Sequence, residues 1–247
     1  MAIFSISDLH LAFSVPSKTM EAFGPAWKDY ANQIEANWRS LISQDDLVLI
    51  AGDISWAMTL EEAQIDLKWI DNLPGTKVMI RGNHDYWWGS TSKMLKMMPP
   101  TIHFIQNNVF NWNGVSIGGT RLWDSSEYGF HEFIDFQNPK PQTPQKEEEK
   151  QTQEKIFERE LERLKLSLKQ LDPKAHTRIA LTHYPPISSA LRPSRASAIL
   201  EENKIDICIF GHLHSLKQGL NLFGTARGVK YILTSADYLN FTPVLVL

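Results

Sequence analysis

Leu47-Val48-Leu49-Ile50-Ala51-Gly52-Asp53 and Lys77-Val78-Met79-Ile80-Arg81-Gly82-Asn83-His84-Asp85 set the architecture of this chain. Each is a short β-rich run that stops at a glycine and is followed at once by metal-ligating side chains. Apolar runs of this length fit strands buried on both faces, as in a parallel sheet covered by helices. Between the two runs, residues 59–73 space apolar side chains three and four apart, and Thr59 with Glu62 forms a capping-box pattern. Strand, helix, strand in that order predicts an α/β layered domain.

The flanking sequence repeats the pattern. Residues 2–7, 101–105, 115–118, 178–182 and 206–210 read as further strands, and 27–42 as a further helix. Residues 215–223, 230–235 and 243–247 read as strands with no helices between them, which predicts an antiparallel portion. Residues 137–146, rich in Pro, Gln and Lys, read as loop. Residues 145–171 read as a long helix with seven acidic and seven basic residues. Its apolar stripe is narrow: Phe157, Leu161, Leu164, Leu168 and Leu171. That helix is either a surface element docked on the sheet through its stripe, or an insert that packs on a partner or leans over the site. With no internal repeat, the chain reads as a single domain, 1–247, carrying a charged helical insert at about 121–172.

Bulk composition narrows the function classes. A 43% hydrophobic and 21% charged content excludes a disordered chain. The net charge of −3 gives no strong nucleic-acid signal: it argues against a broad basic surface and leaves a local basic pocket open. The single cysteine, Cys208, excludes an internal disulfide and a thiolate zinc site, and lies in an apolar run as a buried, inert thiol. No apolar run approaches the ~18 residues of a membrane span and no signal peptide opens the chain, so a cytoplasmic setting is expected.

Chemistry concentrates where strands end. Residues 3–7 run into Asp8-Leu9-His10, and 47–51 into Gly52-Asp53. Residues 77–81 run into Gly82-Asn83-His84-Asp85, 178–182 into His183, and 207–210 into Gly211-His212-Leu213-His214. Ligand sites in open α/β sheets lie beyond the carboxyl ends of strands, so these segments can meet at one point. Five of the eight histidines fall there. An extended chain would put Asp8 and His10 on one side, and likewise His212 and His214. Imidazole and carboxylate without thiolate favour Mn, Fe or Zn over Ca or Mg. A carboxylate such as Asp53 can bridge two cations. Gly52, Gly82 and Gly211 are expected to permit turns where a Cβ would clash.

Asp8-x-His10, Gly52-Asp53, Gly82-Asn83-His84-Asp85, His183 and Gly211-His212-x-His214, in this order, resemble the calcineurin-like metallophosphoesterase superfamily. The resemblance spans Asp8 to His214. It implies a two-sheet β-sandwich flanked by helices, an αββα architecture, with the site at the strand ends. It also implies two divalent metal ions: one held by Asp8, His10, Asp53 and His214, the other by Asp53, Asn83, His183 and His212, with Asp53 bridging. By the same resemblance His84 contacts the scissile phosphate and protonates the leaving oxygen, while Asp85 orients His84.

The expected partner is a phosphate-ester substrate. Arg121 and Trp123 follow a strand and are candidate substrate contacts, although Gly118 to Arg121 also reads as a plain turn. Arg192 and Arg195 read either as solvated or as a phosphate clamp. Trp87 and Trp88 read as packing residues or as a stacking surface for a ring. Asp85, where protein phosphatases usually carry Glu, resembles phosphodiesterase-type members and favours a phosphodiester or small phosphorylated molecule. The competing functions are a non-catalytic scaffold on the same fold, against which the full motif set weighs, and a nuclease. A homo-oligomer formed through the charged helix is a further expectation.

Overall fold

Alternation along the strands sets the layers. The computed structural model describes residues 1–135 and 147–247. In β2 (Leu47–Ile50), Leu47 and Leu49 join the core between two sheets, while Val48 and Ile50 join the core beneath the helices. Both faces are thus apolar, which is why the run reads as continuous.

One sheet has the order β11 (Val244–Leu245), β1 (Ile3–Ser5), β2, β3 (Thr76–Met79), β4 (Ile102–Phe104). Strands β1 to β4 are parallel and β11 closes the edge antiparallel. The other sheet runs β5 (Phe110–Trp112), β6 (Val115–Thr120), β7 (Thr177–Thr182), β8 (Ile207–Phe210), β10 (Val229–Leu233), β9 (Gly224–Ala226). Here β6, β7, β8 and β10 are parallel, with antiparallel β5 and β9 at the edges. Ile3, Leu49, Val78 and Ile80 meet Ile117, Ile179, Leu181 and Ile209 in the central core.

Helices α1 (Tyr30–Leu41), α2 (Leu60–Asp71) and α3 (Thr91–Met97) cover the first sheet through Ile34, Trp38, Leu67, Ile70 and Met94. Thr59 caps α2 in the expected capping box with Glu62. Lys77 is buried in β3 because its ammonium bonds the carbonyls of Asp71 and Leu73 at the end of α2. Helices α4 (Glu147–Leu168) and α5 (Arg195–Glu202) cover the second sheet. The layers are therefore α/β/β/α, with two mixed sheets flanked by helices.

The long helix docks through its stripe. Phe157, Leu161, Leu164 and Leu168 are buried against Leu122, Ala180 and Tyr184, each contributing about 1.5–3 kcal/mol. Helix α4 connects parallel neighbours β6 and β7, so it is the crossover of a β-α-β unit rather than an addition to the fold. The expected loop at 137–146 and the first two positions of the expected helix lie outside the described residues.

The tail differs from expectation in two ways. Residues 215–223 form no strand; Ser215 and Gly219 take positive φ, and only Leu216 bridges to Ile134. Strand β10 is parallel to β8, so the antiparallel character is confined to β9 and β11.

Candidate metal centre

The strand ends deliver their side chains on sharply bent backbone. Asp8 (φ 58°), His10 (φ 44°), Asp53 (φ 52°) and His212 (φ 73°) all lie in the left-handed region. Each such residue costs about 1–3 kcal/mol and persists only where its surroundings enforce it. The extended-chain expectation for Asp8 with His10, and for His212 with His214, is therefore wrong: the chain turns between ligands instead of running straight. Close approach explains two of the glycines. A Cβ on Gly82 would lie 2.0 Å from Asp53 Oδ1, and one on Gly211 would lie 2.1 Å from Asp8 Oδ2.

Acceptor atoms converge at the centre. His183 Nδ1 lies 2.9 Å from the Ala51 carbonyl, the arrangement of a ring N–H donating to it, which turns Nε2 inward. That Nε2 lies 2.7 Å from Asn83 Oδ1 and 3.4 Å from Asp53 Oδ2. Asn83 Oδ1 is also 3.0 Å from His212 Nδ1. On the other side, His10 Nε2 lies 3.1 Å from His214 Nε2 and 3.7 Å from Asp53 Oδ2. His214 Nε2 is 3.3 Å from Asp8 Oδ1. Two groups have the spacing to hold a metal ion: Asp8, His10 and His214, and Asp8, Asp53 and His183. Asp53 Oδ2 faces an imidazole of each group, as a bridging carboxylate would.

Electrostatics express the same demand for positive charge. Burial holds His10 down at about 4 and His212 at about 3. Burial also opposes the proton on His183, yet the Asp53 carboxylate overrides it and raises the pKa to about 9. On His214 burial is likewise overridden by Asp237 and Asp8. Burial works against the charge of Asp53, but the neighbouring histidines, His183 foremost, hold its carboxyl well below the usual range. Protons on two imidazoles thus answer carboxylates that a divalent cation would satisfy, and metal binding would release them.

Two residues here escaped the sequence reading. Asp237 accepts from His214 Nδ1 at 2.9 Å and from the Ser215 N–H at 2.8 Å, fixing the ring. It follows β10 closely, so the strand-end rule applied to that strand would have found it. Trp56 stacks on His10 with ring centroids 5.0 Å apart.

Other expectations need correction. The Asp85 carboxylate does not orient the His84 ring. It accepts from the N–H groups of Gly82, Ile54 and Ser55 and from Trp87 Nε1, stapling the loops that carry Asp53 and Asn83. His84 instead donates its backbone N–H to Asp53 Oδ1 at 2.8 Å, and its Nδ1 is buried without a hydrogen-bond partner among the described residues. Arg195 is neither solvated nor a clamp: it pairs with Glu127, Glu154 and Glu158 and lies over Phe157, tying α5 to α4. Arg192 is exposed in the loop before α5, its N–H on Ser188 Oγ. Trp87 and Trp88 are buried packing residues. Arg121 stacks over Trp123 at 4.5 Å and pairs with buried Glu160, while its carbonyl accepts from the N–H of His183 at 3.0 Å. Trp123 lines an aromatic cleft with Tyr128, Phe130 and Tyr184 that reaches His212.

No helix among the described residues is long and apolar enough to cross a membrane. Two mycobacteriophage proteins share partial similarity: the gene 66 protein of phage D29, 36% identical over 84 residues, and that of phage L5, 46% identical over 86 residues. The match spans about 40% and 37% of those proteins, and about a third of this chain. Among solved structures, the phosphopantetheinyl hydrolase of Mycobacterium tuberculosis superposes with a TM-score of 0.51 at 14% identity, covering 100% of this chain and 95% of that one. A protein of unknown function from Aquifex aeolicus gives 0.48 at 16% identity, covering 99% of this chain and 95% of its own. The profile of the calcineurin-like phosphoesterases matches residues 1–216, the span holding every strand-end motif, and the chain belongs to that family.

Proposed function

We propose that this protein is a metal-dependent phosphohydrolase that cleaves a phosphodiester or a small phosphorylated molecule. The observation that carries the reading is the convergence of ligand atoms. The inward-facing Nε2 of His183 lies 2.7 Å from Asn83 Oδ1 and 3.4 Å from Asp53 Oδ2, and the carboxylates here draw protons onto His183 and His214 in the place a cation would take. Asp8, His10, Asp53 and His214 would hold one ion, and Asp53, Asn83, His183 and His212 the other. The donor set suits Mn, Fe or Zn. Two such ions would supply an acidified water and the positive charge that phosphoryl transfer demands.

The chain's own groups do the remaining work. Asp85 fixes the two loops so that Asp53 and Asn83 cannot drift apart. His84, its position locked by the N–H bond to Asp53, offers an imidazole whose pKa burial lowers. An imidazole there can bond a phosphoryl oxygen or give a proton to the departing one. Asp237 holds His214 in one tautomer.

The test is a comparison of chelator-stripped and Mn-loaded protein on bis-p-nitrophenyl phosphate, p-nitrophenyl phosphate and cyclic nucleotides. Hydrolysis that appears with Mn, is lost to chelator and favours the diester is the expected result. If metal-loaded protein leaves every ester intact, the scaffold reading replaces this one.

A further inference from the structure

Beside the candidate metal centre, the ends of β3, β4 and β6 line a cleft of about 130 Å³ with Arg81, Gln106, Asn107, Arg121, Glu160 and Arg163. Its charges do not balance. Glu160 is buried and its carboxylate is already engaged by Thr120 Oγ1 at 2.9 Å, Arg163 at 2.7 Å, Arg121 at 3.5 Å and Arg159 at 3.8 Å. Arg81 adds another guanidinium with no carboxylate partner among the described residues, and its Nε is buried without a hydrogen bond. Gln106 Oε1 accepts from Trp88 Nε1 at 2.7 Å, which leaves the amide NH2 as a donor. One occupied carboxylate thus faces an excess of cationic donors in a partly dry recess. Guanidinium forks of this kind match phosphate geometry.

The cleft adjoins the centre. Arg81 stands two residues before Asn83, at most about 7 Å of extended chain. The Arg121 carbonyl accepts from the N–H groups of His183 and Tyr184 at 3.0 Å. We propose that this cleft binds a second phosphate group of the substrate, a few bonds from the ester that is cleaved. The inference rests on the phosphohydrolase reading and narrows it: the preferred substrates carry two phosphates, one at the cations and one among the arginines.

Two measurements test it. In the first, chelator-stripped protein is titrated with inorganic phosphate by calorimetry. Wild type should bind saturably without metal, and Arg81→Gln and Arg121→Gln should each weaken binding at least about tenfold. Arg81→Gln removes no carboxylate partner, so a melting curve matching wild type keeps that result interpretable even if Arg121→Gln loosens Glu160. In the second, Mn-loaded protein hydrolyses thymidine 5′-(p-nitrophenyl phosphate) with and without a 3′-phosphate. The added phosphate should raise kcat/KM about tenfold or more in wild type, and that ratio should collapse in both variants. Absence of phosphate binding overturns the subsite. Binding of free phosphate without any gain from the attached one overturns its assignment to substrate. Metal-independent phosphate binding that requires both arginines would support the subsite even if no ester were cleaved, which separates this inference from the phosphohydrolase reading.

Discussion

The first sheet places three of its four ligands by left-handed backbone, Asn83 being the exception, and the second places two of its three by hydrogen bonds to the ring. Asp8, His10 and Asp53 sit on left-handed residues after β1 and β2. Their loops are laced together by Asp8 N–H to the Gly52 carbonyl at 2.9 Å and His10 N–H to the Asp53 carbonyl at 3.0 Å. His183 and His214 sit on ordinary backbone, but each ring has its far nitrogen anchored, on the Ala51 carbonyl or on Asp237. His212, left-handed and with its N–H on Asp8 Oδ1, joins the two systems. A short carboxylate has little reach of its own, so the chain must carry it to the metal; an imidazole has two ends, and one can be anchored while the other ligates. The two halves should therefore fail differently when disturbed.

The largest effect is expected at the residue shared by both halves. Asp53→Ala should abolish binding of both ions and all hydrolysis, because Asp53 Oδ2 faces His10 on one side and His183 on the other. Elemental analysis of metal-loaded protein reads this directly. Retention of two ions would remove Asp53 from the bridging role and leave Asp8, which borders both groups, as the shared carboxylate. Next comes His84→Ala, which should keep both ions and lower turnover by roughly 10²–10⁴ on an ester with a poor leaving group. A p-nitrophenyl ester needs less protonation and should suffer less. Equal loss on both esters would assign His84 to charge stabilisation instead of proton donation.

A smaller effect addresses the second half alone. Asp237→Asn keeps the shape but weakens the anchor on His214, and such outer partners contribute about 10–100-fold to metal affinity. The loss should fall on the ion held by Asp8, His10 and His214, leaving the His183 side near wild type. Metal titration monitored by competition with a chromophoric chelator can separate the two sites. An equal loss at both would mean the halves are coupled through His212.

Legibility in the sequence followed the same division. Strands buried on both faces announced themselves as apolar runs, and their ends named the ligands, because a buried parallel sheet leaves few other places for His and Asp. Edge strand β5 was silent: Phe110, Asn111 and Trp112 alternate over too few residues, and the hairpin at Asn113-Gly114 was the only cue. Helix α5 was missed because its capping box uses Ser194 and Ser197 in place of a glutamate. The left-handed turns at Asp8 and Asp53 were invisible because aspartate tolerates that conformation without requiring it. The family resemblance assigns Asp85 to His84, whereas four N–H groups from two loops claim its carboxylate. Asp237 was overlooked because one acid after a strand forms no motif.

The smallest expected effect asks whether the backbone-held half depends on general rigidity or on local bonds. Thr59→Ala removes the side-chain acceptor for the Glu62 N–H and frays the first turn of α2. Loss of such a cap costs about 1 kcal/mol, which in a domain of this size lowers Tm by about 2–4 °C. Two turns further along, Asp66 accepts from the Phe13 N–H at 3.0 Å and bonds the Ser55 hydroxyl, bracing the loops after β1 and β2 from beneath. Fraying of the first turn leaves Asp66 in place, so metal affinity should stay within about twofold while Tm falls. Calorimetric melting and metal titration on the same sample give both numbers. A tenfold loss of affinity with so mild a destabilisation would mean that the strained residues are held by the stiffness of the whole layer, and the contrast between the two sheets would then be one of degree.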